Sequence, residues 1–165
     1  EMLDIALRHR PHAVCIVPER REEVTTEGGL NVQAHIGPLF FAVQQLKEAG
    51  IRVSLFIDPS KQQVMAATGV GAQVVEFHTG RYCHAEGEAR QAAFAELSAA
   101  AAMAHSVGLE VHAGHGLDYE TAAEVATLPQ IRELNIGHFL IGEAIFIGLD
   151  EAIARMRSAI DGAAL

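Results

Sequence analysis

The chain has 165 residues, half of them hydrophobic and a fifth charged, which is the composition of an ordinary globular domain with enough apolar residues for one core. Acidic residues outnumber Lys and Arg by 21 to 12, giving a net charge of −9 with no basic stripe, which argues against nucleic acid as a partner. The sequence carries no apolar run of membrane-spanning length and no secretory signal pattern. Its two cysteines, Cys15 and Cys83, form no CxxC pair, so the reading is a cytoplasmic, reducing setting with no membrane partner.

The chain opens Glu1-Met2-Leu3, with no initiator Met at position 1. It enters directly into a helical pattern (Leu3, Ile5, Ala6, His9) that Pro11 ends, so the start reads as a cut. Ala13 to Val17 reads as a short strand buried on both faces. The following PERREEVTTEGGL is polar, closed by glycines and too long for a simple turn. Loops of that length on compact domains often carry function, and the hydroxyls of Thr25 and Thr26 could serve a phosphate or a sugar, but the residues alone favour a plain solvated loop. A helix is expected from Gly37-Pro38 to a C′ glycine at Gly50, then a strand at Arg52–Ile57. Asp58-Pro59 opens the next helix, which stops near Gly69, and a strand follows at Val74–Thr79.

Glu76 stands inside that apolar strand. Alternation sets Val74, Glu76 and His78 on one face, against Val75 and Phe77 on the other. A carboxylate there is costly unless paired, and His78 is the nearest candidate partner. Two uses stay open: a structural buried pair, or an acid/base or electrostatic group at the end of the strand that carries sites. Beyond it, Arg81–Gly87 reads as a polar connection and Glu88–Val107 as a long Ala-rich helix ending at Gly108.

Glu110 to Tyr119 (EVHAGHGLDY) begins as a strand and then breaks, with Gly114 and Gly116 flanking His115 and Asp118 placed as a helix N-cap. His115 therefore sits at a strand's carboxyl end, where the ligand crevice of an α/β protein lies. The next helix runs from Tyr119 to about Leu128. The last strand, Glu133–His138, ends in Gly137-His138, and FLIGEAIFIGL follows where a short extra helix would lie. Leu149, Ile153, Met156 and Ile160 mark one face of the terminal helix. Strand and helix thus alternate about five times with no linker, which predicts one α/β domain over residues 1–165 with a parallel sheet and right-handed crossovers.

Histidines close three successive strands, at His78, His115 and His138, with His112 nearby. One use is metal ligation; the other is proton transfer beside a bound anion. His112 and His115 differ by three, so a regular strand would point them to opposite faces, and no HxH stands on one strand. Metal ranks second for that reason. The glycines at Gly116 and Gly137, ahead of helix starts, favour a phosphorylated ligand held by backbone N–H groups.

PERREEVTTEGGL, RVSLFID, EFHTG, HAGHGLDY and ELNIGHFLIGEAIF, in that order, closely resemble the pyridoxine 5′-phosphate synthase family over nearly the whole chain. The resemblance implies a (β/α)₈ TIM barrel assembled as a homo-oligomer, an octamer in the family. The implied reaction condenses 3-amino-2-oxopropyl phosphate with 1-deoxy-D-xylulose 5-phosphate and closes the pyridine ring, releasing phosphate and water, with no metal or organic cofactor. Matched residue by residue, it makes His115 the proton donor and Glu76 a carboxylate that stabilises the transition state. Thr25 becomes a contact to deoxyxylulose phosphate, and Gly116, Gly137 and His138 the aminooxopropyl phosphate site. It also implies that strands one to three are missing, so that this chain covers about strands four to eight. A catalytic histidine and glutamate would be missing with them (Glu1 is not that glutamate), which predicts little or no activity for these 165 residues alone. Two other readings stand beside it: a metal-dependent lyase or hydrolase using His78, His115 and His138, and a non-catalytic phosphate-binding α/β domain with a doubly wound sheet.

Overall fold

The computed structural model describes residues 1–18 and 28–163. Five strands, β1 (Ala13–Ile16), β2 (Arg52–Ile57), β3 (Val74–His78), β4 (Glu110–Gly114) and β5 (Ile131–Asn135), form one parallel sheet in the order of the chain. Helix α1 (Met2–His9) precedes the sheet. Helices α2 (Ile36–Glu48), α3 (Lys61–Gly69), α4 (Gly80–His84), α5 (Gly87–Ser106) and α6 (Tyr119–Ala126) connect its strands, and α7 (His138–Ile147) and α8 (Leu149–Ala163) follow it. A sheet whose strands follow chain order, joined by right-handed crossovers, carries its helices on one face. A doubly wound sheet instead reverses direction at a switch point, and no reversal occurs among these five strands, which overturns that reading.

Strand parity divides the side chains. Val53, Leu55 and Ile57, Val75 and Phe77, and Val111 and Ala113 point into the core beneath Leu39, Val43 and Leu46 of α2, Val64 and Ala67 of α3, and Ala122 and Val125 of α6. Helix α5 buries Leu97 together with Ala93, Ala100, Ala101 and Ala104, small residues that let a helix lie close to its neighbours. The opposite face is largely polar. Register sets Phe56 beside Glu76, Glu76 beside His112, and Gly114 beside Asn135. Near the amino ends of the strands, Arg52 Nη2 meets Glu110 Oε2 at 2.5 Å, and Glu110 Oε1 lies 2.8 Å from His112 Nε2. Glu133 Oε1 approaches the other ring nitrogen of His112 at 3.3 Å. This network covers one end of the polar face and leaves the other end, at the strand carboxyl termini, for a site.

The expected elements mostly appear, with corrections. β1 is half-buried, not buried on both faces, because Ala13 and Cys15 lie on the polar face with no helix over them. α3 starts after Ser60, whose hydroxyl accepts from Gln63 N at 3.3 Å, two residues beyond the expected Asp58-Pro59. The polar connection after β3 is folded as the short helix α4. The last strand is Ile131–Asn135, because Gly137 already serves as N-cap of α7. The expected stripe on α8 splits. Met156 is buried and Ile160 partly so, but Leu149 and Ile153 are exposed, and Ala152 supplies the rest of the buried face. No helix among the described residues is long and apolar enough to cross a membrane.

Candidate active site

At the carboxyl ends of the strands lies a cleft of about 1010 Å³. Glu76 and His78 reach it from β3, His115 and Gly116 from the β4–α6 turn, and Gly137 and His138 from the start of α7. Five of the six sequence-predicted site residues (Glu76, His115, Gly116, Gly137 and His138) therefore line one space, with His78 among them. The sixth, Thr25, lies outside the described residues.

His115 is held by construction. β4 ends at Gly114, and His115 then adopts φ +77°, a left-handed conformation uncommon for a residue with a side chain. This turn removes His115 from strand alternation, so the expectation that His112 and His115 point to opposite faces fails. His112 stays in the polar network, while the His115 ring joins the cleft beside Phe56 and His78. Two clamps hold the turn. Buried Thr79 donates its hydroxyl hydrogen toward Gly114 O at 2.8 Å and His115 O at 2.6 Å. On the far side, Asp118 closes a capping box: its carboxylate accepts from Thr121 N at 2.8 Å, and its own N–H donates to Thr121 Oγ1 at 2.9 Å. Gly116, at φ +81°, completes the turn, and there a side chain would be strained.

Glu76 is half-buried on the polar face. The expected Glu76–His78 pair does not form. Cys15 Sγ lies 3.7 Å from Glu76 Oε2, and Asn135 also hydrogen-bonds the carboxylate. Desolvation raises the Glu76 carboxyl above its ordinary range, opposed by the Cys15 and Asn135 hydrogen bonds and the positive field of His112. Cys15 keeps some exposed surface, yet desolvation of its sulfur and the adjacent carboxylate push the thiol up to about 12, so it acts as a donor. Gly114 makes room for Glu76: a Cβ at Gly114 would stand 2.4 Å from Glu76 Oε1. His78 turns instead to Asp58, with Nδ1 3.4 Å from Asp58 Oδ1, and this partner holds the Asp58 carboxyl below its ordinary range.

The cleft also presents Arg81 and His84 from α4, which sequence reasoning passed over as part of a polar link. Two basic residues three apart after a Gly-started turn were the available signal. With the open N-terminus of α7 at Gly137-His138, they make this end of the cleft suited to an anion. Among the described residues no three His, Cys, Asp or Glu side chains come together to hold a metal ion, so His78, His115 and His138 do not form the ligand set of the metal-dependent reading.

Comparison with known proteins matches residues 1–162 to the family of the pyridoxal phosphate biosynthesis protein PdxJ. The chain belongs to this family. Relatives named pyridoxine 5′-phosphate synthase include those of Rhodospirillum rubrum (62% identical), Cereibacter sphaeroides (59%) and Caulobacter vibrioides (58%). Each alignment covers 99% of this chain and 66% of the relative, so this PdxJ-family chain spans about two thirds of their length. The match supports the resemblance read from HAGHGLDY and ELNIGHFLIGEAIF, whose residues form the strand-end wall of the cleft.

Proposed function

We propose that the protein is a pyridoxine 5′-phosphate synthase, condensing 3-amino-2-oxopropyl phosphate with 1-deoxy-D-xylulose 5-phosphate and closing the pyridine ring with loss of phosphate and water. The observation that carries this reading is the convergence of Glu76, His115 and the α7 N-terminus on one cleft in a chain of this family. His115 transfers protons during condensation and dehydration, since its strained turn aims an imidazole at the cleft. Glu76 stabilises positive charge that develops on an imine or protonated intermediate. Backbone N–H groups at Gly116 and Gly137-His138 hold the phosphate of 3-amino-2-oxopropyl phosphate, with Arg81 and His84 adding positive charge, and Thr25 contacts the deoxyxylulose phosphate. Holding both substrates supplies the proximity part of the rate.

The fold is a (β/α)₈ barrel in which the five strands here are about the fourth to eighth. Their uniform order and the polar inner face, layered from the Arg52–Glu110–His112–Glu133 network up to Glu76, support this. The protein acts in the cytoplasm as a homo-oligomer, an octamer in the family. Helix α7 is apolar apart from His138 and Glu143 and has no buried residue among its ten, with Ile145 78% and Phe146 84% exposed, as a surface awaiting a protein neighbour would be.

The test is turnover of the protein as encoded by its gene, wild type beside His115→Asn. The variant is expected to bind inorganic phosphate like the wild type and to lose turnover by roughly 10²-fold or more. Near-normal turnover in the variant would remove His115 from its role, and no pyridoxine 5′-phosphate from the wild type would overturn the reading.

A further inference from the structure

His78 is built into the site more firmly than a lining residue needs to be. It is 8% exposed, and among the described residues its Nε2 is buried with no hydrogen-bond partner. An unpartnered buried ring nitrogen in a native site calls for a reason. Its other nitrogen, Nδ1, faces Asp58 Oδ1 at 3.4 Å. That carboxylate oxygen also accepts from Gly29 N at 3.0 Å, which helps hold it beside the ring. An imidazole beside a carboxylate keeps its hydrogen on the facing nitrogen, which leaves Nε2 as a bare acceptor.

The His78 ring lies against that of His115. The two rings lie 4.8 Å apart, centre to centre, tilted by 44°. Both close on the space that a Gly80 side chain would occupy. A Cβ there would stand 2.8 Å from His78 Nε2 and 3.2 Å from His115 Cδ2, the carbon bonded to His115's own Nε2. Imidazole rings with centres 4.8 Å apart are close enough for a ring nitrogen of one to bond a ring nitrogen of the other when their edges meet. Phe56 meets His78 edge to face, with ring centres 5.3 Å apart.

We propose that Asp58 and His78 are positioning residues for His115: Asp58 pins His78 with its hydrogen on Nδ1, and the bare Nε2 accepts the N–H of the His115 ring. His115 gives up a proton to substrate and must regain one facing the same way. An acceptor fixed at its edge selects that ring orientation each cycle. Gly80 is glycine because any side chain would fill the gap between the two rings. This role rests on the assignment of His115 as the proton-transferring residue.

The experiment uses the protein as encoded, in three variants. Asp58→Asn keeps the shape but can donate to His78 Nδ1, which moves the His78 hydrogen to Nε2. His78→Phe removes the acceptor, and His78→Gln restores one through its side-chain carbonyl. We expect Asp58→Asn and His78→Phe to lower kcat at least about 10-fold, with KM for both substrates changed less than about threefold. His78→Gln should recover most of the kcat lost in His78→Phe. Nitrogen-15 NMR of labelled histidine, without substrate, should find the His78 hydrogen on Nδ1 in the wild type and on Nε2 in Asp58→Asn. The proposal is overturned if both variants keep wild-type kcat, if KM alone rises, or if the wild-type hydrogen already sits on Nε2. Should His78→Phe fail to fold by circular dichroism, Asp58→Asn decides alone. A wild type that turns over beside unaffected variants defeats this inference only. A wild type without turnover defeats the functional reading, and the His78 tautomer then still decides whether the pinned geometry stands.

Discussion

Glu76 trades stability for placement. Its carboxyl lies above its ordinary range because desolvation outweighs its hydrogen bonds, so ionising it costs the folded state. The sign follows from linkage: a group that binds its proton more tightly when folded lends stability at low pH, and that stability is lost as pH rises through its folded value. Glu76→Gln should therefore raise the melting temperature at neutral pH and leave it nearly unchanged at acid pH, while turnover falls. A lower neutral melting temperature would mean that the charge is structural. Gly114 tests the same carboxylate from its neighbour. A methyl at Gly114 would meet Glu76 Oε1 at 2.4 Å and Asn135 O at 3.0 Å. Gly114→Ala should cost about 1–3 kcal/mol in denaturant unfolding and displace Glu76. At this scale the sequence was informative where a residue broke its surroundings. Glu76 stood out because a strand core should not hold a carboxylate, and His115 because two glycines flanked it. The partners were not legible. Glu76 was matched to His78 by alternation, but parallel pairing brings Cys15 and Asn135 to it from other strands, and nothing in one strand's sequence announces its register.

The elements differ in how far local chemistry decides them. The β4–α6 turn is set by short-range signals, and Asp118 was readable as an N-cap because the helix start needs its oxygen. Asp118→Ala should cost about 1 kcal/mol and loosen the His115 turn, seen as faster amide exchange at Thr121. Across the sheet, the Arg52 guanidinium, joined by His112, holds the Glu110 carboxyl down to about 2. Because that folded value lies below the ordinary one, its contribution is present at neutral pH and is lost as pH falls from about 5 toward 2. Wild type and Glu110→Gln should thus differ in unfolding free energy at pH 7 and converge in acid; a constant gap would remove Glu110 from the account. This network was invisible in sequence, since Arg52 and Glu110 are joined only by the fold. The end of β5 was misplaced for a related reason. LNIGH alternates like a strand, and only the start of α7 at His138 shows where extension stops.

At the scale of the molecule, the parallel α/β architecture was legible because strand and helix patterns alternate cleanly, and sequential order follows from short crossovers. How outward surfaces are covered was less so. The α8 residues that share one face in sequence do not share one burial: Leu149 and Ile153 remain exposed beside α7, where Ile145 and Phe146 also stand open. If this surface joins copies of the chain, Ile145→Glu with Phe146→Ser should lower self-association in sedimentation velocity without moving the melting temperature by more than about 2 °C. Unchanged association would place the oligomer contacts elsewhere. The central claim is that Glu76, His115 and the α7 N-terminus form one active site. It is tested most directly by a crystal structure of the protein as encoded with pyridoxine 5′-phosphate bound. The account predicts the phosphate within hydrogen-bond distance of the Gly137-His138 backbone and the ring between Glu76 and His115. A product bound elsewhere, with this cleft empty, would contradict it.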